Sequence, residues 1–371
     1  MANLMQGLVL CLMAAQSLQH TGDTKASIGN SSNKGQRTFK PRNYTLTHIN
    51  QSWPGMDPFL HVGPEEPATA FTTGILSNWI IPSAYVLSML LGIPSNAYIL
   101  AFLRVKIKDK SRATIILYLN LALSDLLLLL SLALRIHYHI NKNHWIFGEV
   151  SCRLVTALFY GNVYCSSQTI ACISMKRYLA VVKPFLYRRM ATTSLSLWAC
   201  LIVWLLFGAA IVPELLVRQS YFISELGVVT CHDILPLDVE PHSLLVPFRL
   251  GLVCLGFIVP FFVCIYVHVS VVYHLGQSGC DWKPYIKISS LVFVIFVVCF
   301  LPSGILHIIH YICLIVNGDD HMYTYYRAAV CLCCFHSCLD PLLCLLLSRT
   351  ASSELHFTSL RGTPLTTSAV M

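Results

Sequence analysis

The chain has 371 residues, of which 56% are hydrophobic and only 11% are charged, with a formal net charge of +8. A water-soluble domain usually carries about a quarter charged residues. The composition therefore excludes a disordered scaffold, an ordinary cytosolic enzyme and, despite the positive charge, a nucleic-acid-binding protein. The chain must be solvated largely by lipid.

Seven apolar runs are long enough to cross a bilayer as helices, which takes about 20 residues each. The connectors between them are short, and they are polar or contain Pro and Gly. A membrane β-barrel would instead show alternation over about ten residues. The sequence predicts an all-α membrane protein, a seven-transmembrane helix bundle over residues 76–347. Its spans lie near 78–103, 113–139, 149–181, 195–217, 244–274, 284–315 and 322–347.

The segment ahead of the first run has two parts. Residues 1–17 contain a short apolar core that is typical of a signal peptide but lacks the usual basic start, so a disordered apolar leader is the alternative. The residues that follow, to about 74, are rich in Asn, Ser, Thr, Pro and Gly, which indicates a flexible extracellular tail. Three sequons in this tail predict glycosylation at Asn30, Asn43 and Asn50.

The distribution of Lys and Arg predicts the orientation in the membrane. With the tail outside, the connectors 104–112, 176–189 and 275–287 and the C-terminal tail hold 14 of the 25 Lys and Arg residues, as cytoplasmic segments should. We expect a multi-pass plasma-membrane protein with an extracellular N-terminus and a short cytoplasmic tail over 348–371. The outer connector 218–243 carries Glu225 and Asp233 among its acids and is expected to form an acidic lid facing outward.

Most of the 16 cysteines fall inside the apolar runs, where a thiol behaves as a small apolar side chain. Five crowd into the last run, but no face collects His and Cys, so no metal site is expected there. Cys152, at the outer start of the third run, and Cys231, in the acidic connector, both face an oxidising compartment away from lipid. We predict a disulfide between them that ties the lid to the third span.

A series of short motifs recurs in order along the runs. They are Gly92-Ile93-Pro94-Ser95-Asn96, Leu121-Ala122-Leu123-Ser124-Asp125, Lys176-Arg177-Tyr178, Trp204, Pro260, Cys299-Phe300-Leu301-Pro302 and Asp340-Pro341-Leu342-Leu343-Cys344. In this order they resemble the rhodopsin-like family of G-protein-coupled receptors over about residues 76–347. The resemblance implies a heterotrimeric G protein as partner, with Arg177 as its contact. An anchor at the level of the lipid phosphates is the alternative for Arg177.

Two carboxylates lie inside the predicted spans. A carboxylate at mid-bilayer costs about 2.5–3.5 kcal/mol, so Asp125 and Asp340 should face the bundle interior and have partners. The family resemblance implies that, with Ser166, they form an oxygen-rich pocket for a sodium ion or a shared proton. In the alternative, each carboxyl is neutral and only forms a hydrogen bond with a helix neighbour. No other metal or cofactor is expected.

Three prolines within the predicted spans affect helix geometry. Pro260, Pro302 and Pro341 each remove an intrahelical hydrogen bond. Each position predicts either a hinge at which the helix swings or a static kink.

Within the rhodopsin-like family, three further segments resemble the protease-activated receptors. They are Cys231-His232-Asp233 in the acidic connector, His144-Trp145-Ile146-Phe147-Gly148-Glu149, and Phe159-Tyr160-Gly161-Asn162-Val163-Tyr164-Cys165. The resemblance implies that the agonist is part of the receptor's own N-terminus and is exposed when thrombin, or another trypsin-like serine protease, cuts after a basic residue.

The sequence offers one candidate for that cut, between Arg37 and Thr38. A guanidinium suits the acidic specificity pocket of such a protease, and a disordered chain can enter the cleft. Residues 18–37 would then be removed as a propeptide, and 38–75 would be a tail that carries the tethered ligand. Lys34, Lys40 and Arg42 are alternative cleavage sites. The proposed ligand is Thr38-Phe39-Lys40-Pro41-Arg42-Asn43.

The tethered ligand should dock near the outer rim of the bundle. Asp233 and Glu225 are candidates for its ammonium or its cationic side chains. Tyr311, Tyr323 and Tyr326 are candidates for stacking on Phe39. The alternative for the tyrosines is an ordinary aromatic belt at the membrane interface.

Two positions depart from the family pattern on the cytoplasmic side. Cys344 stands where family members usually have tyrosine, and Lys176 places a like charge beside Arg177. These departures favour an alternative function, that of a weakly signalling cofactor receptor that presents thrombin to a second protease-activated receptor. A transporter or a membrane enzyme is not indicated, because the sequence shows neither an inverted repeat nor a catalytic constellation.

Overall fold

Helices form most of the chain that the structure describes. The computed structural model describes residues 59–60, 67–106, 112–236, 242–277, 282–317 and 321–360. The predicted signal peptide, propeptide, cleavage site and sequons lie outside these residues. The helices are α1 (Pro67–Thr73), α2 (Ile81–Lys106), α3 (Arg112–Ile140), α4 (Gly148–Val182), α5 (Pro184–Arg189), α6 (Thr192–Leu216), α7 (His242–Val253), α8 (Val259–Gly276), α9 (Lys283–Asn317) and α10 (Met322–Leu360).

Each predicted apolar run coincides with a long helix, counting α7 and α8 as one helix joined by a π-helical turn, Cys254–Ile258. Five of these, over Leu76–Val105, Ala113–Ile140, Thr192–Leu216, Pro247–Gly276 and Lys283–Cys313, are long and apolar enough to cross a membrane. Large apolar side chains such as Trp198, Leu205 and Phe262 are exposed on the outside of the bundle. Such a surface suits contact with lipid rather than water.

The two remaining long helices, α4 and α10, carry more polar side chains and direct many of them inward. Asn162, Ser166 and Ser167 of α4 are buried, as are Arg327 and His336 of α10. Helix α4 packs against α3, α6 and α8, while α10 packs against α2, α3 and α9. Buried polar groups inside a bundle are retained where they have a partner or a function.

Two π-helical turns precede prolines. Leu76–Ile80 comes before Pro82, and Cys254–Ile258 comes before Pro260, with a spacing of two residues in each case. A proline cannot donate to the carbonyl four residues earlier, and its ring crowds that carbonyl. A widened turn just ahead of the proline accommodates both effects. Pro302 and Pro341 lie within α9 and α10.

The outer connector folds into a small sheet that includes part of the N-terminal tail. Strands β2 (Ser220–Ile223) and β3 (Val228–Cys231) are antiparallel, and β1 (Phe59–Leu60) pairs with β2 in parallel. Leu60 and Phe71 are buried in an apolar cluster with Tyr323. The expectation of a flexible tail as far as about residue 74 is therefore wrong for these residues, because their apolar side chains are buried against the helices.

The last helix is longer than expected. The sequence placed the end of the bundle at residue 347, but α10 continues without a break to Leu360. The residues after 347 include good helix formers such as Ala351, Glu354 and Leu355, which extend a helix once it has been nucleated.

Candidate functional site

A disulfide fixes the hairpin of the outer connector over the bundle. Cys152, in the first turns of α4, is bonded to Cys231 at the end of β3. The Trp145 backbone N–H also donates to the Val229 carbonyl, at 2.8 Å. The connector that was predicted to be a lid is thereby held at two points beside the outer ends of α3 and α4.

Asp233 follows this hairpin but does not face outward. It is 1% exposed. Its carboxylate accepts hydrogen bonds from the Tyr138 hydroxyl at 2.8 Å and the Tyr323 hydroxyl at 2.7 Å, and Arg327 Nη2 lies 3.6 Å from its Oδ1. The expectation that Asp233 lies on an exposed acidic surface is wrong, because buried cationic and hydroxyl donors draw the carboxylate inward.

The charge of Asp233 is stabilised by its surroundings. Burial is the largest single effect and opposes its ionisation, but the charge of Arg327 and smaller effects, which include Arg135 and the hydrogen bond from Tyr323, together outweigh burial and hold the pKa of the Asp233 carboxyl below its usual value. The carboxylate is therefore ionised at neutral pH and forms a buried ion pair with Arg327.

The three predicted docking tyrosines lie together beneath Asp233 and are buried. The ring centroids of Tyr323 and Tyr326 are 6.2 Å apart. His307 stacks between Tyr311, at 5.0 Å, and Tyr326, at 4.5 Å. His307 was not among the predicted residues, although it lies four residues before Tyr311 and therefore on the same helix face.

Glu225 lies apart from this group. It is exposed in the turn between β2 and β3, where Gly227 has a φ of +61°. Of the two carboxylates predicted to receive the tethered ligand, the structure therefore places Glu225 at the surface and Asp233 in the interior.

Two buried arginines complete the surroundings of Asp233, and the sequence analysis missed both. Arg327 is 0% exposed and Arg135 is 1% exposed. Arg135 Nη2 donates to Thr156 Oγ1 at 3.2 Å, and its guanidinium lies 4.8 Å from the centre of the Phe159 ring. The rule that singled out Asp125, a charge inside a predicted span, applies equally to these arginines and would have found them. We call Arg135, Asp233 and Arg327 the outer cluster.

A second ion pair within the bundle was also missed. Arg249 of α7 donates through Nε and Nη2 to the two carboxylate oxygens of Glu214 on α6, each at 2.6 Å. Both side chains are buried. This pair has one positive and one negative charge in a bidentate arrangement, the strong form of such contacts.

The predicted sodium pocket forms a separate charged group halfway along α3. Asp125 Oδ1 accepts from Ser337 Oγ at 3.1 Å and from Ser166 Oγ at 3.4 Å. Asp125, His336 and Asp340 each have one atom that could bind a metal ion, and these three atoms lie within 4.8 Å of one another. We call these three residues the midspan cluster.

The oxygen atoms of the midspan cluster fit a sodium ion. Asp125 Oδ2 and Asp340 Oδ2 are buried without a hydrogen-bond partner, and carboxylate and hydroxyl oxygens are the ligands that hard cations prefer. His336, which the sequence analysis missed, changes this picture. Its Nε2 lies 3.5 Å from Asp125 Oδ1, while its Nδ1 contacts the Cys333 carbonyl. Both ring nitrogens face oxygen acceptors, so the ring can compete with a cation for Asp125.

The predicted G-protein contact lies at the inner end of α4. Arg177 Nη2 donates to the Tyr118 hydroxyl of α3 at 2.6 Å, and the Lys176 ammonium contacts Thr114. Both cations thus turn toward α3. Cys344 is buried in an apolar cluster with Ile99 and Ile115.

The sequence and this architecture can be compared with known proteins. The family described as 7 transmembrane receptor (rhodopsin family) matches residues 95–343. Proteinase-activated receptor 3 of Homo sapiens is 37% identical over 290 residues, which are 78% of this chain and 77% of that protein. The Rattus norvegicus receptor of the same name is 32% identical over 342 residues, 90% of this chain and 92% of that protein. Proteinase-activated receptor 2 of Bos taurus is 33% identical over 283 residues, 75% of this chain and 71% of that protein.

The chain therefore belongs to the rhodopsin family of seven-transmembrane receptors. Within that family it is a G-protein-coupled receptor of the proteinase-activated group, a multi-pass plasma-membrane receptor rather than an enzyme. The motifs in its sequence most resemble the third subtype of the group, the subtype of the human and rat relatives.

Proposed function

We propose that a thrombin-type serine protease activates this receptor by cutting after Arg37. The cut exposes Thr38 as a new N-terminus, and the segment Thr38–Asn43 acts as a tethered agonist. Membership of the proteinase-activated group supports this proposal. The observation that carries it is the parallel pairing of Phe59–Leu60 with Phe222–Ile223, because it holds the tail beside the hairpin that covers the bundle.

This anchor sets the reach of the tethered ligand. Twenty-one positions separate Thr38 from Phe59. A flexible chain of that length has a root-mean-square end-to-end distance of about 25 Å. The ligand is thereby confined close to the hairpin at an effective concentration on the order of millimolar, so that modest intrinsic affinity suffices for docking.

Docking begins, in this proposal, at the exposed carboxylate of Glu225, which is complementary to Lys40 and Arg42. The new ammonium of Thr38 then competes with Arg327 for Asp233, and Phe39 enters the aromatic group formed by the three tyrosines. Displacement of Asp233 would release the outer end of α10 from the hairpin. In this step the new ammonium takes the place of Arg327 beside the Asp233 carboxylate, and Arg327 loses its carboxylate partner.

The test of the cut is N-terminal sequencing of the membrane-bound fragment after thrombin treatment of cells that express the full chain. We expect the fragment to begin at Thr38. The Arg37→Ala variant should lose both the cut and the response to thrombin, while Lys34→Ala and Arg42→Ala should still be cut. A membrane-bound fragment that begins at any residue other than Thr38 would contradict the assignment.

A synthetic peptide of sequence Thr-Phe-Lys-Pro-Arg-Asn separates docking from cleavage. It should activate the Arg37→Ala variant, which cannot be cut there. Failure of the peptide on a receptor that is cut at Thr38 would contradict the agonist role of the segment while leaving the cleavage site intact.

The cytoplasmic side supports a second candidate function, a weakly signalling cofactor receptor that presents thrombin to another receptor of the group. The observation that favours it is the inner end of α4, where Arg177 is bonded to Tyr118 and Lys176 adds a like charge. Cys344 also lacks the phenol that family members usually carry. If the receptor is cut but signals weakly alone, Cys344→Tyr should increase G-protein activation, and co-expression with a second protease-activated receptor should increase that receptor's response to thrombin.

We also propose a sodium ion as a ligand of the midspan cluster, held by Asp125, Ser166 and Asp340. An ion there would supply positive charge to the two carboxylates. His336 competes with it for Asp125, so sodium binding should be weak in the unmodified chain.

We propose as well that the N-terminus is extracellular and glycosylated at Asn30, Asn43 and Asn50, and that residues 1–17 are removed as a signal peptide. A glycan on Asn43 would lie within the tethered ligand itself.

A further inference from the structure

Four hydrogen-bond donors in and beside the outer cluster are buried without a hydrogen-bond partner. They are Tyr85 Oη, Arg135 Nε, Arg327 Nε and Arg327 Nη1. The Tyr85 ring centroid lies 6.0 Å from that of His139, whose Nε2 lies 3.4 Å from Arg327 Nη2. The Tyr85 ring lies 6.1 Å from that of Phe159, over which the Arg135 guanidinium sits. Buried donors in proteins nearly always have an acceptor, so four in one place require an explanation.

The charges of the outer cluster do not balance. It holds two guanidiniums and, in the part of the chain that the structure describes, one carboxylate, which already accepts from two tyrosine hydroxyls. His139 adds no compensation. Its Nδ1 lies 2.7 Å from Asn143 Oδ1 and its Nε2 lies 3.4 Å from Arg327 Nη2, so a neutral ring that donates to the amide and accepts from the arginine satisfies both contacts.

A buried guanidinium without an anion is costly, and removing one partner of a buried pair typically costs several kcal/mol. The three unpartnered guanidinium nitrogens can only donate, so the missing group is an acceptor. The surplus charge is positive, so the missing group is negative. We propose that the outer cluster binds a small anion between Arg135 and Arg327, beneath the hairpin. The anion links the outer ends of α3 and α10, and it does so whether or not the tail is cut.

A free anion from the medium has this chemistry, and chloride serves as the probe. The experiment measures thermal unfolding of the purified full chain in lipid nanodiscs, with sodium chloride replaced stepwise by sodium gluconate. Chloride should raise the unfolding temperature by about 2–4 °C at saturation. Arg135→Gln should abolish this shift. Arg153→Gln is the matched control, because Arg153 lies outside the outer cluster and pairs with Glu149. It should keep the chloride response.

The Arg135→Met variant tests the sign of its stability difference from the unmodified chain in the two media. A general loss of folding would lower stability in both media and could not reverse that sign. If an anion is bound, the unmodified chain is more stable than Arg135→Met in chloride, and the order reverses or vanishes in gluconate. The proposal is overturned if the unmodified chain shows no response to chloride, or if Arg135→Gln responds as the unmodified chain does.

Discussion

The outer cluster and the midspan cluster are built from the same kinds of side chain in opposite proportions. The outer cluster has two guanidiniums around one carboxylate, and its unpartnered atoms are donors. The midspan cluster has two carboxylates around one imidazole, and its unpartnered carboxylate oxygens are acceptors. Each cluster lies inside the bundle, where a polar or charged group that lacks a partner is costly. The difference indicates that one site needs an anion and the other a cation.

The Glu214–Arg249 pair provides a reference for this comparison. One carboxylate and one guanidinium meet there through two hydrogen bonds of 2.6 Å. A balanced pair of this kind needs no further ion and serves to join α6 to α7. The two unbalanced clusters lie at the positions where the proposed ions act, the small anion in the outer cluster and the sodium ion in the midspan cluster. Surplus charge is thus a feature of candidate ligand sites rather than of the scaffold.

The largest expected effect tests the outer cluster. Asp233→Asn removes the carboxylate that pairs with Arg327 and leaves buried positive charge uncompensated in the part of the chain that the structure describes. We expect a loss of about 3–5 kcal/mol in the free energy of unfolding, or failure to reach the cell surface. Thermal unfolding of the purified receptor and surface labelling of cells measure the two outcomes.

Glu225→Gln is the control for Asp233→Asn. It makes the same chemical change eight residues earlier, at an exposed turn, and should change stability by less than about 0.5 kcal/mol. The double variant Asp233→Asn, Arg327→Gln should be less destabilised than the sum of its single variants, because both act on one pair. Equal stability of Asp233→Asn and the unmodified chain would contradict the assignment of a surplus positive charge.

The midspan cluster should respond in the opposite sense. Asp125→Asn removes one of two like charges, and the asparagine carbonyl can still accept from Ser166 and Ser337. We expect a change of less than about 1 kcal/mol, or a gain in stability, since like charges that share a site repel. The measurement is again thermal unfolding, in choline rather than sodium salts. A loss as large as that of Asp233→Asn would mean that this cluster is balanced.

The sequence predicted the helices well because a span through lipid must be long, apolar and helical, and that requirement leaves a clear pattern. The pairing of Phe59–Leu60 with the hairpin left no such pattern. Two residues of strand are too few to show an alternation, and their partner lies more than 160 residues away. Apolar residues near the end of a polar tail gave the only hint of it.

Glu225 and Asp233 show why site residues were harder to predict than spans. Both are acids of one outer connector, and composition treats them alike. Their different positions depend on Arg327, which meets Asp233 only through the tertiary fold. His336 likewise belongs to the midspan cluster because it lies one helical turn before Asp340 on the same face of α10.

The smallest expected effect separates sodium from His336 as the cation of the midspan cluster. In the unmodified chain, replacing choline by sodium should raise the unfolding temperature by less than about 1 °C, because the His336 ring competes for Asp125. His336→Asn removes the competing ring and supplies an amide oxygen. It should increase the sodium-dependent rise to about 2–4 °C.

The Asp125→Asn, His336→Asn double variant is the control, because it removes the carboxylate that both cations require. It should lose the sodium response entirely. If the unmodified chain already shows the full response and His336→Asn does not increase it, then His336 does not compete and the oxygens alone define the site. If His336→Asn is strongly destabilised and no sodium concentration restores it, the imidazole is the resident cation and the midspan cluster is complete without an ion.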